Sequence, residues 1–411
     1  MSSDPHILII GAGQAGAETA WRLRGGGFVG KVTLVGDEPL EPYQRPPLSK
    51  AFLAGKVSRA DLVFRGADAY AQMQIRLLSE TRVEDIDRSA RIARLLGDEA
   101  LRYDVLVLAT GARPRRLPVV GADLPGVHMF RTAADVDAIR PSFRPGAKLV
   151  VIGAGYIGLE VAAVARQCGL DVTVVEAAAR PLARVTSPEI ASFFLSEHSA
   201  KGVRFALGAQ VASIRGHEHA TGVTLTDGAE LPADVVIAGV GVTPEVSLAQ
   251  RCGLTIDDGI VTDANCRTED PSVFAIGDCA SRPMRHYDNR MVRLESVHNA
   301  IEGAKLVAAS ILGQNPPVLE APWFWSDQYD LKLQIAGLFQ GYDRVVLRGD
   351  PRDRAFAVFY FKQERMIAVD AVNKPGEFLG AKALLQKGLS PSPEVLADMT
   401  KPMKEIVATA G

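Results

Sequence analysis

The sequence predicts an α/β chain with two doubly wound, Rossmann-like dinucleotide-binding domains and a smaller α+β C-terminal domain. Three observations carry this. The fingerprint G-x-G-x-x-G occurs twice, as GAGQAG at 11–16 and GAGYIG at 153–158. Each copy follows a short apolar run, ILII (7–10) or LVVI (149–152), and opens an alanine-rich stretch expected to be helical. Each is then followed by a β-rich run ending in acid: KVTLVGDE closes at Asp37 and Glu38, and DVTVVEA closes at Glu176. A lone fingerprint is weak, because glycine-rich turns are common. A strand, turn, helix and acid-tipped strand together make a strong signal. The glycines allow a tight turn and close backbone approach, and the helix N-terminus attracts a pyrophosphate. The carboxylate accepts bonds from a ribose diol.

The remaining elements extend the duplication. YDVLVLATGARP (103–114) matches ADVVIAGVGVTP (233–244): branched residues of a buried strand, a glycine turn, then a proline that ends pairing. A further strand is expected in SVFAIGDCA (272–280), a helix near 298–312, and a linker in the Pro-rich GQNPPVLEAPW (313–323). Beyond it VVLRG (345–349), AVFYF (357–361) and MIAVDAV (366–372) read as an antiparallel meander, with helices near 376–387 and 400–409.

Composition sets the class. With 411 residues, 47% apolar and 23% charged, the chain suits two or three globular domains. A formal charge of -2 gives no nucleic-acid footprint. No apolar segment reaches membrane-spanning length uninterrupted, and Met1 to His6 runs straight into the first strand. The cytoplasm is therefore the expected compartment. The cysteines, Cys168, Cys252, Cys266 and Cys279, include no C-x-x-C, which argues against a zinc site and a redox dithiol. No metal is expected. Two dinucleotide sites in one chain imply electron transfer between their ligands.

The two fingerprints, ATG at 109–111, GD at 277–278 and the β-rich tail resemble the two-dinucleotide flavoprotein reductases. RPPLSK (45–50), RLESVHNA (293–300) and PWFWSDQY (322–329) narrow the resemblance to the NADH-dependent ferredoxin reductases of bacterial haem-thiolate monooxygenases and ring-hydroxylating dioxygenases. The resemblance implies an FAD-binding domain of 1–115 and 246–318, an inserted NAD-binding domain of 116–245, and a C-terminal domain of 319–411. It places FAD at Gly11, Gly13, Ala15, Gly16, Asp37, Lys50, Val83, Arg131, Asp278 and Val297. NADH falls to Gly153, Gly155, Tyr156, Ile157, Gly158 and Glu176. Lys50, Glu160 and Trp325 would serve the reaction: Glu160 holding the nicotinamide carboxamide or pairing with Lys50, and Trp325 lying near a cofactor ring.

Coenzyme choice follows from Glu176, whose carboxylate suits two ribose hydroxyls and would repel a 2′-phosphate. Ala177, Ala178 and Ala179 supply no adjacent arginine, although Arg180 follows, so NADH is expected over NADPH. The implied partner is an acidic [2Fe–2S] ferredoxin met by a basic patch, with Arg65, Arg290, Arg293, Lys305 and Arg344 as candidates. Relatives of this type are monomers or weak homodimers. The alternatives are an NADH oxidase or another NADH-dependent flavoprotein reductase without a ferredoxin partner, and a binding flavoprotein of the apoptosis-inducing type.

Overall fold

The structure, a computed structural model, describes residues 4–97 and 99–410. Its contacts divide the chain into two units. The first comprises Met1–Gln44, Ala60–Arg113 and Thr243–Glu320; the second comprises Arg45–Arg59, Pro114–Val242 and Ala321–Gly411.

The first unit is built on a five-stranded parallel sheet in the order Val273–Ala275, Val105–Leu108, His6–Ile10, Lys31–Val35, Ile75–Leu78. Its central strand is apolar from Ile7 to Ile10 because both faces are covered. Ile7 and Ile9 pack with Ala20 and Leu23 of the helix Gln14–Gly25 and with Val307 and Ile311 of the helix Val297–Leu312. Leu8 and Ile10 pack the other way, against Val83, Ile86, Ala93 and Leu101 of a three-stranded antiparallel sheet. Period-two alternation thus splits one apolar run between two cores.

The second unit repeats the scheme over 114–242. Its parallel sheet has the order Arg204–Leu207, Asp171–Glu176, Lys148–Ile152, Val235–Ala238, Val127–Met129. The tail contains the expected three-strand meander and extends it by two further strands. It is a five-stranded antiparallel sheet in the order Trp323–Gln328, Leu331–Gly337, Arg365–Val372, Phe356–Lys362, Arg344–Arg348. The helices Pro375–Lys387 and Met403–Thr409 cover one face through Phe378, Ala381, Leu384 and Ile406. Arg348, almost wholly buried, donates to the carbonyls of Leu396, Asp398 and Lys401 and so pins the chain end onto the sheet.

The division by contacts differs from the expected domains in two places. The segment 45–59 groups with the second unit instead of with the residues that flank it in sequence, and the tail is not set apart from 114–242. Polar contacts give the reason. Arg45 donates to the carbonyl of Arg131, and Arg59 pairs with Asp137. In the tail, Asp370 accepts from the hydroxyls of Thr186 and Tyr360, all three deeply buried.

Burial pushes the Asp370 carboxyl up to about 6, the two hydroxyl donors opposing the shift. The folded chain therefore holds this proton more tightly than the unfolded chain does. The contribution of Asp370 to stability falls as pH rises from about 4 to about 6. Asp370→Asn removes that decline, so its stability relative to wild type improves between pH 4 and pH 7 by on the order of 2 kcal/mol. Urea unfolding at both pH values checks this; an unchanged difference would mean that Asp370 does not titrate in the folded state.

Candidate functional site

Both fingerprints divide the work of their glycines in the same way. Gly11 has φ +109, and a Cβ there would lie 2.1 Å from the Ala109 carbonyl oxygen. A Cβ on Gly16 would lie 2.0 Å from the Gly11 carbonyl oxygen, because the helix is pressed onto the turn. At Gly13, by contrast, a Cβ would meet no protein atom within 4 Å. The second copy behaves alike: Gly153 (φ +104) and Gly158 are confined by backbone at 2.4 and 2.1 Å, and Gly155 is open. Gly13 and Gly155 are also the N-cap residues of their helices, with no side-chain cap. Each site is thus a helix N-terminus with a bare backbone facing open space, the donor set that suits a pyrophosphate. FAD at the first and a nicotinamide dinucleotide at the second fit these residues.

Further groups converge on the first fingerprint. Gly277 (φ +75) would place a Cβ 3.2 Å from the Ala15 Cβ, which sets the Gly277–Asp278 turn against the start of the helix. Asn299 donates to the Leu294 carbonyl and lies 3.5 Å from that of Gly277, tying in the helix that begins at Val297. Asn299 escaped the sequence reading, although it lies within the RLESVHNA motif. Other expected positions stand apart. Val83 is buried in the core on the sheet face opposite the fingerprint helix. Asp37 is exposed, one residue beyond the place that matches Glu176: ladder register sets Val35 beside Ile10 and Val175 beside Ile152, so Gly36 is the counterpart of Glu176. Gly36 is small because a Cβ there would fall 2.5 Å from that of Ala12. Arg131, like Lys50, lies in the second unit, and its N–H donates to Asp135.

At the second fingerprint, Glu176 accepts from the Ala154 N–H at 2.7 Å and from the Ala178 N–H at 2.8 Å. Each carboxylate oxygen keeps lone-pair capacity for a ribose hydroxyl. Arg180 is turned away from phosphate duty, donating to the carbonyls of Ala183 and Thr186. Ile157 is exposed at the helix mouth, and Tyr156 donates to the Val185 carbonyl.

One turn beyond Tyr156, Glu160 meets Lys50. Its Oε2 accepts from Lys50 Nζ at 2.7 Å and from the Ser49 hydroxyl at 2.5 Å, and its Oε1 from the Ser326 hydroxyl at 2.6 Å. Three segments distant in sequence meet here. The i,i+4 pair Tyr156 and Glu160 faces the i,i+2 pair Phe324 and Ser326, with the Tyr156 and Phe324 rings 5.0 Å apart. Trp325 therefore lies on the other face of its strand, beside Trp323 at 5.6 Å. The structure joins Lys50 to Glu160 but turns Trp325 away from them. Sequence reasoning missed Ser49 and Ser326, since isolated hydroxyls carry no spacing signal.

The expected basic patch is already engaged in part. Arg293 pairs with Asp258 and Glu295, Lys305 with Glu302, and Arg344 with Glu364 and Glu394. Arg65 stacks over Trp21. Among the described residues no cluster of His, Cys, Asp and Glu is fit to hold a metal, and no helix is long and apolar enough to cross a membrane.

The glycine geometry separates folding from binding. Gly13→Ala leaves the stability of the flavin-free protein within about 0.5 kcal/mol but weakens FAD retention at least about tenfold. Gly16→Ala destabilises the fold itself, by about 1–3 kcal/mol or more. Melting of the stripped proteins and flavin titration check both; equal effects of the two substitutions would contradict the assignment.

Comparison with known proteins agrees with this architecture. Residues 5–304 match the pyridine nucleotide-disulphide oxidoreductase family, and 323–407 match the reductase C-terminal family. The chain is 44% identical to putidaredoxin reductase of Pseudomonas putida, over 100% of this chain and 98% of that one. It is 46% identical to rhodocoxin reductase of Rhodococcus erythropolis, over 98% and 94%. Among solved structures it matches the covalent putidaredoxin reductase–putidaredoxin complex with a TM-score of 0.97 and 44% identity, over 100% of this chain and 99% of that one. A ferredoxin reductase from Rhodopseudomonas palustris matches with a TM-score of 0.95 and 42% identity, over 98% and 100%. With two glycine-turn dinucleotide sites and these matches along its whole length, the chain belongs to the pyridine nucleotide-disulphide oxidoreductase family.

Proposed function

We propose that the chain is an FAD-dependent ferredoxin reductase that oxidises NADH and passes electrons singly to a [2Fe–2S] ferredoxin serving a bacterial oxygenase. One observation carries the reading within a family that includes disulfide reductases. Glu160, on the helix of the second fingerprint, is matched with Lys50, and the chain has no dithiol. All four cysteines are free, and burial raises every one of their thiols, Cys266 to about 11. No thiolate stands ready to take electrons. The relatives named as reductases of putidaredoxin and of rhodocoxin support a small protein acceptor. The chain works in the cytoplasm as a monomer or weak homodimer, with FAD on the first unit and NADH on residues 114–242.

When bound, FAD supplies the conversion between two-electron NADH and a one-electron acceptor. The protein binds, orients and shields. Gly13 and Gly155 admit the pyrophosphates, and Asp278 and Val297 line the flavin. By resemblance, Val83 would be a further FAD contact and Asp37 would lie near the adenosine. Tyr156 and Ile157 flank the nicotinamide dinucleotide, and Trp325 shields a cofactor ring. Glu160 holds the carboxamide with the lone-pair capacity left on Oε1, while Lys50 keeps the carboxylate fixed. Glu176 selects the ribose diol. With Arg180 committed to carbonyls, nothing in this cluster of side chains welcomes a 2′-phosphate.

Anaerobic stopped-flow mixing with NADH, followed by a [2Fe–2S] ferredoxin or a disulfide in parallel, tests the reading. Rapid flavin bleaching with transfer to the ferredoxin alone is expected, and kcat/KM for NADH should exceed that for NADPH at least about tenfold. Bleaching that passes electrons only to oxygen would move the function to an oxidase. Equal efficiency with both coenzymes would remove the role given to Glu176.

A further inference from the structure

Glu160 is held by more than its ion pair. Behind Ser326, Gln328 Nε2 donates to the Ser326 hydroxyl at 3.2 Å. Gln328 Oε1 lies 2.8 Å from His198 Nε2, and His198 Nδ1 lies 3.4 Å from the Tyr329 hydroxyl. Ser326, Gln328 and His198 are fully buried. Chemistry fixes the hydrogens. An amide oxygen only accepts, so His198 Nε2 bears the proton and donates; Nδ1 of the neutral ring then accepts from Tyr329. Every donor in the series points toward Glu160 Oε1. The neutral ring agrees with its surroundings, since burial draws the His198 imidazole down to about 4. The charged neighbours of His198 are Glu197 and Lys201 on its own helix, Lys201 standing over the Tyr329 ring. Those facing Glu160 are Lys50 from the 45–59 segment and, among hydroxyl groups, Ser49, Tyr156 and Ser326.

We propose that Ser326, Gln328 and His198 form a one-way donor chain that positions Glu160 and holds its negative charge, Gln328 and His198 acting through Ser326. This inference rests on the reading of Glu160 as the group that meets the nicotinamide. The series polarises and does not conduct protons, because the Gln328 amide cannot pass one on. Donors aligned head to tail strengthen one another in a low-dielectric interior. With Lys50 and Ser49 on Oε2 and this chain on Oε1, the carboxylate is held from both sides, and its plane is fixed relative to the fingerprint helix. Ser326, Gln328 and His198 are positioning residues.

Two measurements on the FAD-loaded protein test it. Nitrogen-15 spectra of labelled histidine should show His198 neutral, with its proton on Nε2, from about pH 5 to 8. A proton on Nδ1, or ionisation near the ordinary histidine range, would overturn the chain whatever Glu160 does. In stopped-flow reduction by NADH, Ser326→Ala should slow the flavin step about tenfold and move its low-pH limb up by roughly one pH unit. Ser326→Thr, which keeps the hydroxyl, should restore the limb. Gln328→Met should act in the same direction but less, and add nothing on top of Ser326→Ala. Unchanged rates and profiles, or additive losses, would overturn the proposal. Glu160→Ala run alongside separates the two claims: if it leaves the flavin step unchanged, the role of Glu160 fails, and the histidine spectra still decide the donor chain.

Discussion

A buried carboxylate with three hydrogen-bond donors organises the second unit. Taking an ionised glutamate out of water costs several kcal/mol unless charge and hydrogen bonds replace its hydration. Glu160 receives both, and its donors come from two distant stretches of chain: Ser49 and Lys50 from the RPPLSK loop, and Ser326 from the first strand of the tail. Meeting that demand explains why segment 45–59 and residues 321–411 share a unit with 114–242. The same logic governs Asp370, whose Oδ2 accepts from both Thr186 and Tyr360.

Against these side-chain constraints, the dinucleotide sites are backbone constructions. Each needs one glycine for φ, one for helix packing and one left bare for the ligand, and the first two of these are confined by carbonyls at 2.0 to 2.4 Å. Evolutionary freedom at such positions is small, because nothing larger than hydrogen fits two of them. What differs between the two copies is the acid. Glu176 is clamped by two backbone N–H groups, while the first copy has Gly36 at that place and Asp37 one step further on. A duplicated fold therefore presents two chemically distinct strand ends beside its two glycine turns.

This contrast explains what could be read from the sequence. Glycine turns, apolar parallel strands and the two-fold repeat leave local patterns, so the fold class and both fingerprints were legible. The Lys50–Glu160 pair was legible only through resemblance, since its partners are 110 residues apart. Ser49, Asn299, Gln328 and His198 gave no signal, because a single hydroxyl, amide or imidazole has no period. The hairpin Trp323–Gln328 and Leu331–Gly337 was missed for a local reason. Its two-residue turn begins at Tyr329, which takes φ +58 where glycine or asparagine would have announced a turn. The Pro-rich run 313–323 showed where the pattern changes but could not show that the tail would join the second unit.

The central claim is that Lys50 and Glu160 work as one unit in the step between NADH and FAD. A double-mutant cycle on anaerobic flavin reduction, using Lys50→Met, Glu160→Gln and the pair, tests it most directly. Coupled action predicts that the double variant is no slower than the slower single one, with an interaction equivalent to about tenfold or more in rate. Fully multiplicative losses, or single variants that reduce as fast as wild type, would show that the pair serves only the packing of the second unit.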